Sequence, residues 1–321
     1  MIVRPLVTCG VTAFNAAETI ERAVLSALAQ TWRPLEVVVV DDASTDATPR
    51  ILAALTERHP EVRVFRIEHN SGVGAARNRI LGEADGEFVA FFDDDDESLP
   101  DRVERQVQRI TDYEREFAGG QPVVCHTARR VLYPDGNERI QGTMGEAEGA
   151  AAPAGVAVAH RVLMGTPLKD AYGACATCSQ CARLSTYRTV GGFDPGLRRS
   201  EDTDFSIRLA LKGGHFVGIA APLVTQTMTR TSDKSLRLEH ESLMRVLEKH
   251  RSVLDAEGQY DFCRAWAGAK QVWLEGRHAA FALRLLSLAA GHPFLTFRRL
   301  SQATPHVGLN MAFRRFHGGA H

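Results

Sequence analysis

The 321 residues are 44% hydrophobic and 24% charged, with a formal net charge of -1. That composition excludes a disordered chain and leaves no global field to hold nucleic acid, while the length allows one large α/β domain and a helical appendage. The opening MIVRPLVTCGVTAFN lacks the basic and then apolar pattern of a signal peptide, and no window reaches about 18 uninterrupted apolar residues; the expected location is the cytoplasm. Six cysteines in such a chain argue against a disulfide framework.

In chain order, Val3 to Phe14 reads as a strand and Asn15 to Gln30 as an amphipathic helix. Val37 to Val40 is an apolar run ending in Asp41 and Asp42, as a strand buried on both faces of a parallel sheet should look. Ser44-Thr-Asp-Ala-Thr reads as the cap of a helix from Pro49 to Arg58, followed by a strand from Val62 to Ile67. A Gly-rich turn and helix span Gly72 to Gly82, and a strand from Phe88 to Phe92 enters Asp93-Asp-Asp-Asp96. This β-α-β-α-β-α-β order predicts right-handed crossovers and a parallel sheet whose ligands sit at the carboxyl ends of the strands, where both acidic clusters fall. A helix from Leu99 to Phe117 is followed by a weakly patterned stretch, Gly119 to Ala159, read as loops and short strands. A helix from Glu201 to Lys212 ends at Gly213-Gly214, and helices fill the chain from Leu236 onward. The predicted domains are 1–235, catalytic, and 236–321, helical.

Four constellations carry chemistry. Asp42, just past a strand end, suits a contact to a base or to ribose hydroxyls, with helix capping by Asp42 or Ser44 as the alternative. Four adjacent aspartates repel one another, and a fold keeps them at a strand end mainly to grip a hard divalent cation; a solvated loop or helix start is the competing account. The Gly-rich turn Asn70-Ser-Gly-Val-Gly-Ala-Ala-Arg-Asn could turn its N–H groups and Arg77 toward phosphate. Asp202, in a first helical turn, could deprotonate a hydroxyl or only stabilise its helix.

Together Val11-Thr-Ala-Phe-Asn, Val38-Val-Val-Asp-Asp-Ala-Ser, Gly72-Val-Gly-Ala-Ala-Arg-Asn, Phe91-Phe-Asp-Asp-Asp-Asp, Gly191-Gly-Phe-Asp and Glu201-Asp-Thr-Asp resemble, in order and spacing, family 2 glycosyltransferases of the GT-A fold over roughly residues 5 to 225. The resemblance implies an α/β, Rossmann-like, mostly parallel sheet flanked by helices, with a helical C-terminal extension. It implies an inverting transfer from a nucleoside diphosphate sugar, UDP first, onto a glycan or lipid-linked acceptor in cell-surface polysaccharide or lipopolysaccharide assembly. Thr12, Asn15, Asp42, Arg77, Asp93 and Asp94 would serve the nucleotide, Asp93 and Asp95 would hold Mg²⁺ or Mn²⁺, and Asp202 would be the catalytic base. In this chain the metal motif is expanded to four acids, so Asp94 or Asp96 is a further candidate ligand.

Cys175-Ala-Thr-Cys-Ser-Gln-Cys spaces three cysteines as in a metal site, but no second pair follows, and buried thiols are the expectation. His215 and His240 receive no role. Arg230 and Lys234 lie where the resemblance implies a mobile loop closing over the donor, with a solvated basic loop as the alternative. The tail, with Phe294-Leu-Thr-Phe-Arg-Arg-Leu and Met311-Ala-Phe-Arg-Arg-Phe, suits either packing on the core or an amphipathic surface on the inner face of an anionic membrane. Two other functions share these features, a nucleotidyltransferase and a non-catalytic nucleotide-sugar binding protein. The first is disfavoured because its glycine-rich loop should follow the first strand, which here leads into Thr12-Ala-Phe-Asn.

Overall fold

The computed structural model describes residues 4–171, 173, 175–228 and 235–303. Arg230, Lys234 and the 311–316 segment lie outside the described residues. Four strands, β1 (Val7–Ala13), β2 (Leu35–Asp41), β3 (Val62–Arg66) and β4 (Phe88–Asp93), alternate with helices α1 (Ile20–Leu28), α2 (Thr48–Arg58) and α3 (Val73–Glu83). They pair in parallel in the order β3-β2-β1-β4. All seven residues of β1 and the last five of β2 are buried, which is why Val37 to Val40 show no polar alternation. Register puts Thr12 beside Val40 on one side and Asp93 on the other, with Ala13 beside Asp41, so the candidate residues reach the carboxyl edge of the sheet at one level.

The second half of the sheet departs from the sequence reading. The 119–159 stretch contains a ten-residue strand, β6 (Val123–Leu132), as well as β7 (Glu138–Gln141). They follow a two-residue strand, β5 (Glu97–Ser98), and α4 (Arg102–Glu116). Next come α5 (Val156–Met164), β8 (Gln180–Arg183), α6 (Leu184–Val190), α7 (Glu201–Leu211) and the thirteen-residue β9 (His215–Thr227). β8 runs antiparallel to β4 and to β6, and β6 runs parallel to β9, so the parallel half continues into a mixed half. Strand β6 was hidden because it is buried on both faces while its sequence, VVCHTARRVL, carries His126, Thr127 and Arg129 among the apolar residues.

Arg102, fully buried, fastens α4 beneath the acid run: its guanidinium donates to the Phe91 carbonyl at 2.8 Å, to Ser98 Oγ at 2.8 Å and to Gln106 Oε1 at 3.1 Å. A buried arginine is tolerable only with its donors satisfied this way.

The chain clusters into two compact units, residues 1–158 with 169–229, and residues 159–168 with 230–321. In the second, the described chain forms α8 (Leu236–Lys249), α9 (Arg251–Ala256), α10 (Tyr260–Leu274), α11 (His278–Gly291) and α12 (Pro293–Ala303). No helix among the described residues is long and apolar enough to cross a membrane.

Candidate functional site

The turns after β1 and β2 are knitted together. Asn15 Oδ1 accepts from Thr45 N at 2.8 Å, and Ser44 Oγ accepts from Asn15 N at 2.8 Å. The expected side-chain cap on α2 is absent, because Ser44 is committed to this cross-link; Asp46 Oδ1 instead accepts from Thr48 N at 2.9 Å. Asp41 and Asp42 are both buried but differ in use. Asp41 accepts from Ser44 N at 3.0 Å and pairs with Arg66 at 2.7 Å. Asp42 accepts from Ser71 N and Gly72 N, each at 2.8 Å, one per carboxylate oxygen. It thereby holds the Gly-rich turn, in which Gly72 adopts φ 88°, against the end of β2. Asn15, Ala43 and Ser200 also occupy the left-handed region at φ 49°, 64° and 62°, in the turns after β1 and β2 and at the start of α7. Each such non-glycine position costs on the order of 1–3 kcal/mol, and strain of this kind gathers where a site demands a particular backbone path.

The acid run divides its labour. Asp94 Oδ2 accepts from Phe14 N at 2.8 Å and so ties the β1 turn to the β4 turn. The Asp95 carbonyl accepts from Arg22, which also pairs with Glu97 at 2.9 Å. Asp96 is buried; its Oδ1 accepts from Thr227 N at 3.1 Å, while Oδ2 has no donor in good geometry among the described residues. Burial, reinforced by Asp93 and Asp95, pushes the Asp96 carboxyl well above its usual range. Asp93, Asp96 and Cys178 each present one ligand atom, and these lie within 4.8 Å of one another. Burial also holds the Cys178 thiol well above its usual range, so that without a cation the group offers two carboxylates and a thiol. The two carboxylates, Asp93 and Asp96, fit a hard divalent ion such as Mg²⁺ or Mn²⁺, with Cys178, whose side chain also interacts with Asp96, as a softer neighbour.

Arg77 connects this corner to α7. With 3% of its surface exposed, it donates to Asp93 Oδ1 at 3.0 Å and to Glu201 Oε1 at 2.5 Å. The fields of Asp93, Glu201 and Asp202 outweigh its desolvation and raise its pKa. Asp202, next along the helix, accepts on Oδ1 from Thr203 N at 2.6 Å and from the Thr203 hydroxyl at 3.3 Å. Burial, then the neighbouring Asp202 charge, moves Glu201 up to about 7 despite the pull of Arg77. Asp93, Glu201 and Asp202 thus surround one guanidinium, and the geometry turns Arg77 toward acids rather than toward open space. Thr12, 7% exposed, lies beside Asp93 across the β1–β4 pair.

Several participants were not singled out from sequence. Glu201 is one; Phe14, 46% exposed at the mouth of the β1 turn, is another. His126 is buried on β6 opposite Gln180, neither finds a side-chain partner among the described residues, and burial drives His126 down to about 3. The six cysteines are all free, and among the described residues only Cys178 joins a group of metal-ligating atoms. A cavity of about 420 Å³ bounded by Glu114, Gln121, Arg183 and Lys212 lies near the start of β4, away from the acid clusters.

A parallel sheet with carboxylates gathered at its carboxyl edge, continued by a mixed half, is the GT-A glycosyltransferase fold, and solved structures agree. A mannosyltransferase from Pyrobaculum calidifontis, solved with GDP-Man and Mn²⁺, superposes with a TM-score of 0.59 over 99% of this chain and 84% of its own, at 18% identity. Residues 1–349 of S. aureus TarS, solved with UDP, give a TM-score of 0.53 over 84% and 72%, at 20% identity. Residues 8–161 match the family model described as glycosyl transferase family 2, and over that segment the chain resembles the family. Among curated relatives, the succinoglycan biosynthesis protein ExoO of Rhizobium meliloti is 49% identical over 105 residues, 33% of this chain and 30% of ExoO. The putative teichuronic acid biosynthesis glycosyltransferase TuaG of Bacillus subtilis is 39% identical over 105 residues, 33% of this chain and 42% of TuaG. The matched segment therefore spans less than half the length of either relative.

Proposed function

We propose that this chain transfers a glycosyl group, with inversion, from a nucleoside diphosphate sugar to a hydroxyl of a glycan or lipid-linked acceptor in cell-surface polysaccharide assembly. The observation that carries the reading is the Arg77 bridge: one buried guanidinium gathers the acid run after β4 and the start of α7, so charges suited to a diphosphate and to an alcohol share one corner. The relatives named for succinoglycan and teichuronic acid biosynthesis support the polysaccharide setting, and the neighbours solved with UDP and GDP-Man support a nucleotide-linked donor.

In this reading Thr12, Asn15 and Asp42 line the base and ribose, with the exposed ring of Phe14 offering an apolar face to the base. Both Asp42 oxygens keep a second lone pair for ligand donors. Asp93 and Asp94 flank the nucleotide, and Asp93 and Asp95 hold Mg²⁺ or Mn²⁺ with Asp96 behind them. The bound ion supplies positive charge that neutralises the departing diphosphate. Arg77 holds Asp93 and Glu201 in place through charged hydrogen bonds, acting on the nucleotide side through Asp93. Asp202, anchored through Oδ1, takes the acceptor proton on its other oxygen as the acceptor attacks the anomeric carbon. One displacement inverts that carbon, and no covalent intermediate is required.

Incubation with a panel of nucleotide sugars and Mn²⁺, alone and with oligosaccharide or lipid-linked acceptors, tests the reading. Transfer that disappears in Asp202→Asn, with donor affinity preserved, supports it. Donor binding without transfer or hydrolysis would identify a non-catalytic binder, and reaction of a sugar phosphate with a nucleoside triphosphate a nucleotidyltransferase.

A further inference from the structure

The largest exposed apolar side chains of the described structure are concentrated on two consecutive helices. Phe294 and Phe297 on α12 are 73% and 72% exposed, and Leu283 and Leu286 on α11 are 69% and 66% exposed. Each pair is spaced i, i+3, so each helix presents its two side chains on one face. Ser301, one further turn along the Phe294 face, is also exposed, whereas Leu295 and Thr296 turn inward. The charge pattern identifies the occupant. From Gly276 to His321 the chain holds six arginines and not one aspartate, glutamate or lysine, a local side-chain charge of +6 in a chain whose net charge is -1. Of these, Arg284 is exposed on α11 and Arg277 just before it, where it also pairs with Glu275 at 3.2 Å, whereas Arg298 and Arg299 donate to Gln259 and to the Leu163 carbonyl. A protein partner or a second copy would ordinarily need some acidic complement here; an anionic lipid surface needs none. At 14 and 11 residues, α11 and α12 are about 21 and 17 Å long, too short to span a hydrocarbon core of about 30 Å.

We propose that α11 and α12 lie on an anionic phospholipid bilayer, with Phe294, Phe297, Leu283 and Leu286 in the headgroup boundary and Arg277 and Arg284 against lipid phosphates. This surface stands on the second unit alone and does not depend on glycosyl transfer.

Flotation of the full chain with vesicles of phosphatidylcholine, or of phosphatidylcholine and phosphatidylglycerol at 7:3, tests it. Binding is expected only with phosphatidylglycerol, weakening as NaCl rises from 0.1 to 0.5 M. The double variant F294S/F297S should lower the partition coefficient at least about tenfold, because two rings leave the boundary. R284E should lower it on anionic vesicles. Circular dichroism melting curves matching wild type would show that both variants remain folded. Absence of binding at 0.1 M NaCl, equal binding to neutral vesicles, or unchanged binding of F294S/F297S overturns the proposal. So does light scattering that shows a dimer in wild type and a monomer in F294S/F297S, since the face would then be a protein interface.

Discussion

Replacing Arg77 by Met keeps most of its volume and removes the charge that holds Asp93 and Glu201. Breaking a buried ion pair by deleting one partner costs roughly 3–5 kcal/mol, because the remaining charge is stranded. Asp93 is partly solvated, with 28% of its side chain exposed, whereas Glu201 is nearly enclosed, at 10%. Most of the cost therefore comes from Glu201, and the lower end, about 3 kcal/mol, is expected at pH 8. For a unit of this size that lowers the melting temperature by roughly 6–12 °C. The pH dependence has a definite sign. Glu201 in the folded chain already titrates near 7, above its ordinary 4.5, so from about pH 4.5 to 7 the folded state binds more protons and stability falls as pH rises. Without Arg77 the folded-state value rises further, and the variant's deficit should be smallest near pH 5.5 and largest near pH 8. Scanning calorimetry of wild type and R77M at both pH values measures this. A deficit under about 1 kcal/mol at pH 8, or one equal at the two pH values, would show that Arg77 does not serve as the counter-ion described.

Asp42→Asn leaves one acceptor for two backbone donors and sets its amide group against the other; stability should fall by about 1–3 kcal/mol, with weaker nucleotide binding by calorimetry. Asp95→Ala should abolish the Mn²⁺-dependent part of donor affinity, and identical titrations with and without Mn²⁺ in wild type would remove the metal from the mechanism. His126 stays neutral in the fold down to about pH 3, whereas an unfolded histidine binds a proton near 6.5. Stability should therefore decline as pH falls below about 6.5, and His126→Leu should flatten part of that slope in urea titrations between pH 4 and 7.

The first four strands and both acid clusters were legible in the sequence because parallel strands buried on two faces read as unbroken apolar runs, and their carboxyl ends read as an abrupt change to aspartate. Nothing comparable marks β6. His126, Thr127 and Arg129 interrupt its apolar run, and its burial comes from β8 and β9, which arrive from 50 to 90 residues further on. The same distance explains why Glu201 was passed over for Asp202. Beside a second acid it reads as a helix-start carboxylate, and only the closure between α3 and α7 shows that it receives Arg77 across 124 positions. Asp42 shows how one residue can serve structure and still suit a ligand role: it clamps Ser71 and Gly72 through one lone pair on each oxygen.

Those details bear on why four aspartates are tolerated in a row. Adjacent carboxylates at the end of a buried strand should repel one another and drive protons onto themselves. The chain disperses that repulsion by giving three of the carboxylates different neighbours: Asp93 takes Arg77, Asp94 takes the Phe14 N–H and Asp96 takes the Thr227 N–H, while Arg22 reaches the Asp95 main-chain carbonyl. Asp96 keeps a buried oxygen with no donor in good hydrogen-bond geometry among the described residues, and burial, reinforced by Asp93 and Asp95, drives it toward its protonated form. Added positive charge would pull that proton off. If a divalent ion binds here, its uptake should be accompanied by proton release wherever Asp96 is still protonated. Calorimetry of Mn²⁺ binding in two buffers of different ionisation enthalpy would count it. The same heat in both buffers would mean that Asp96 is already ionised, or that the ion binds elsewhere.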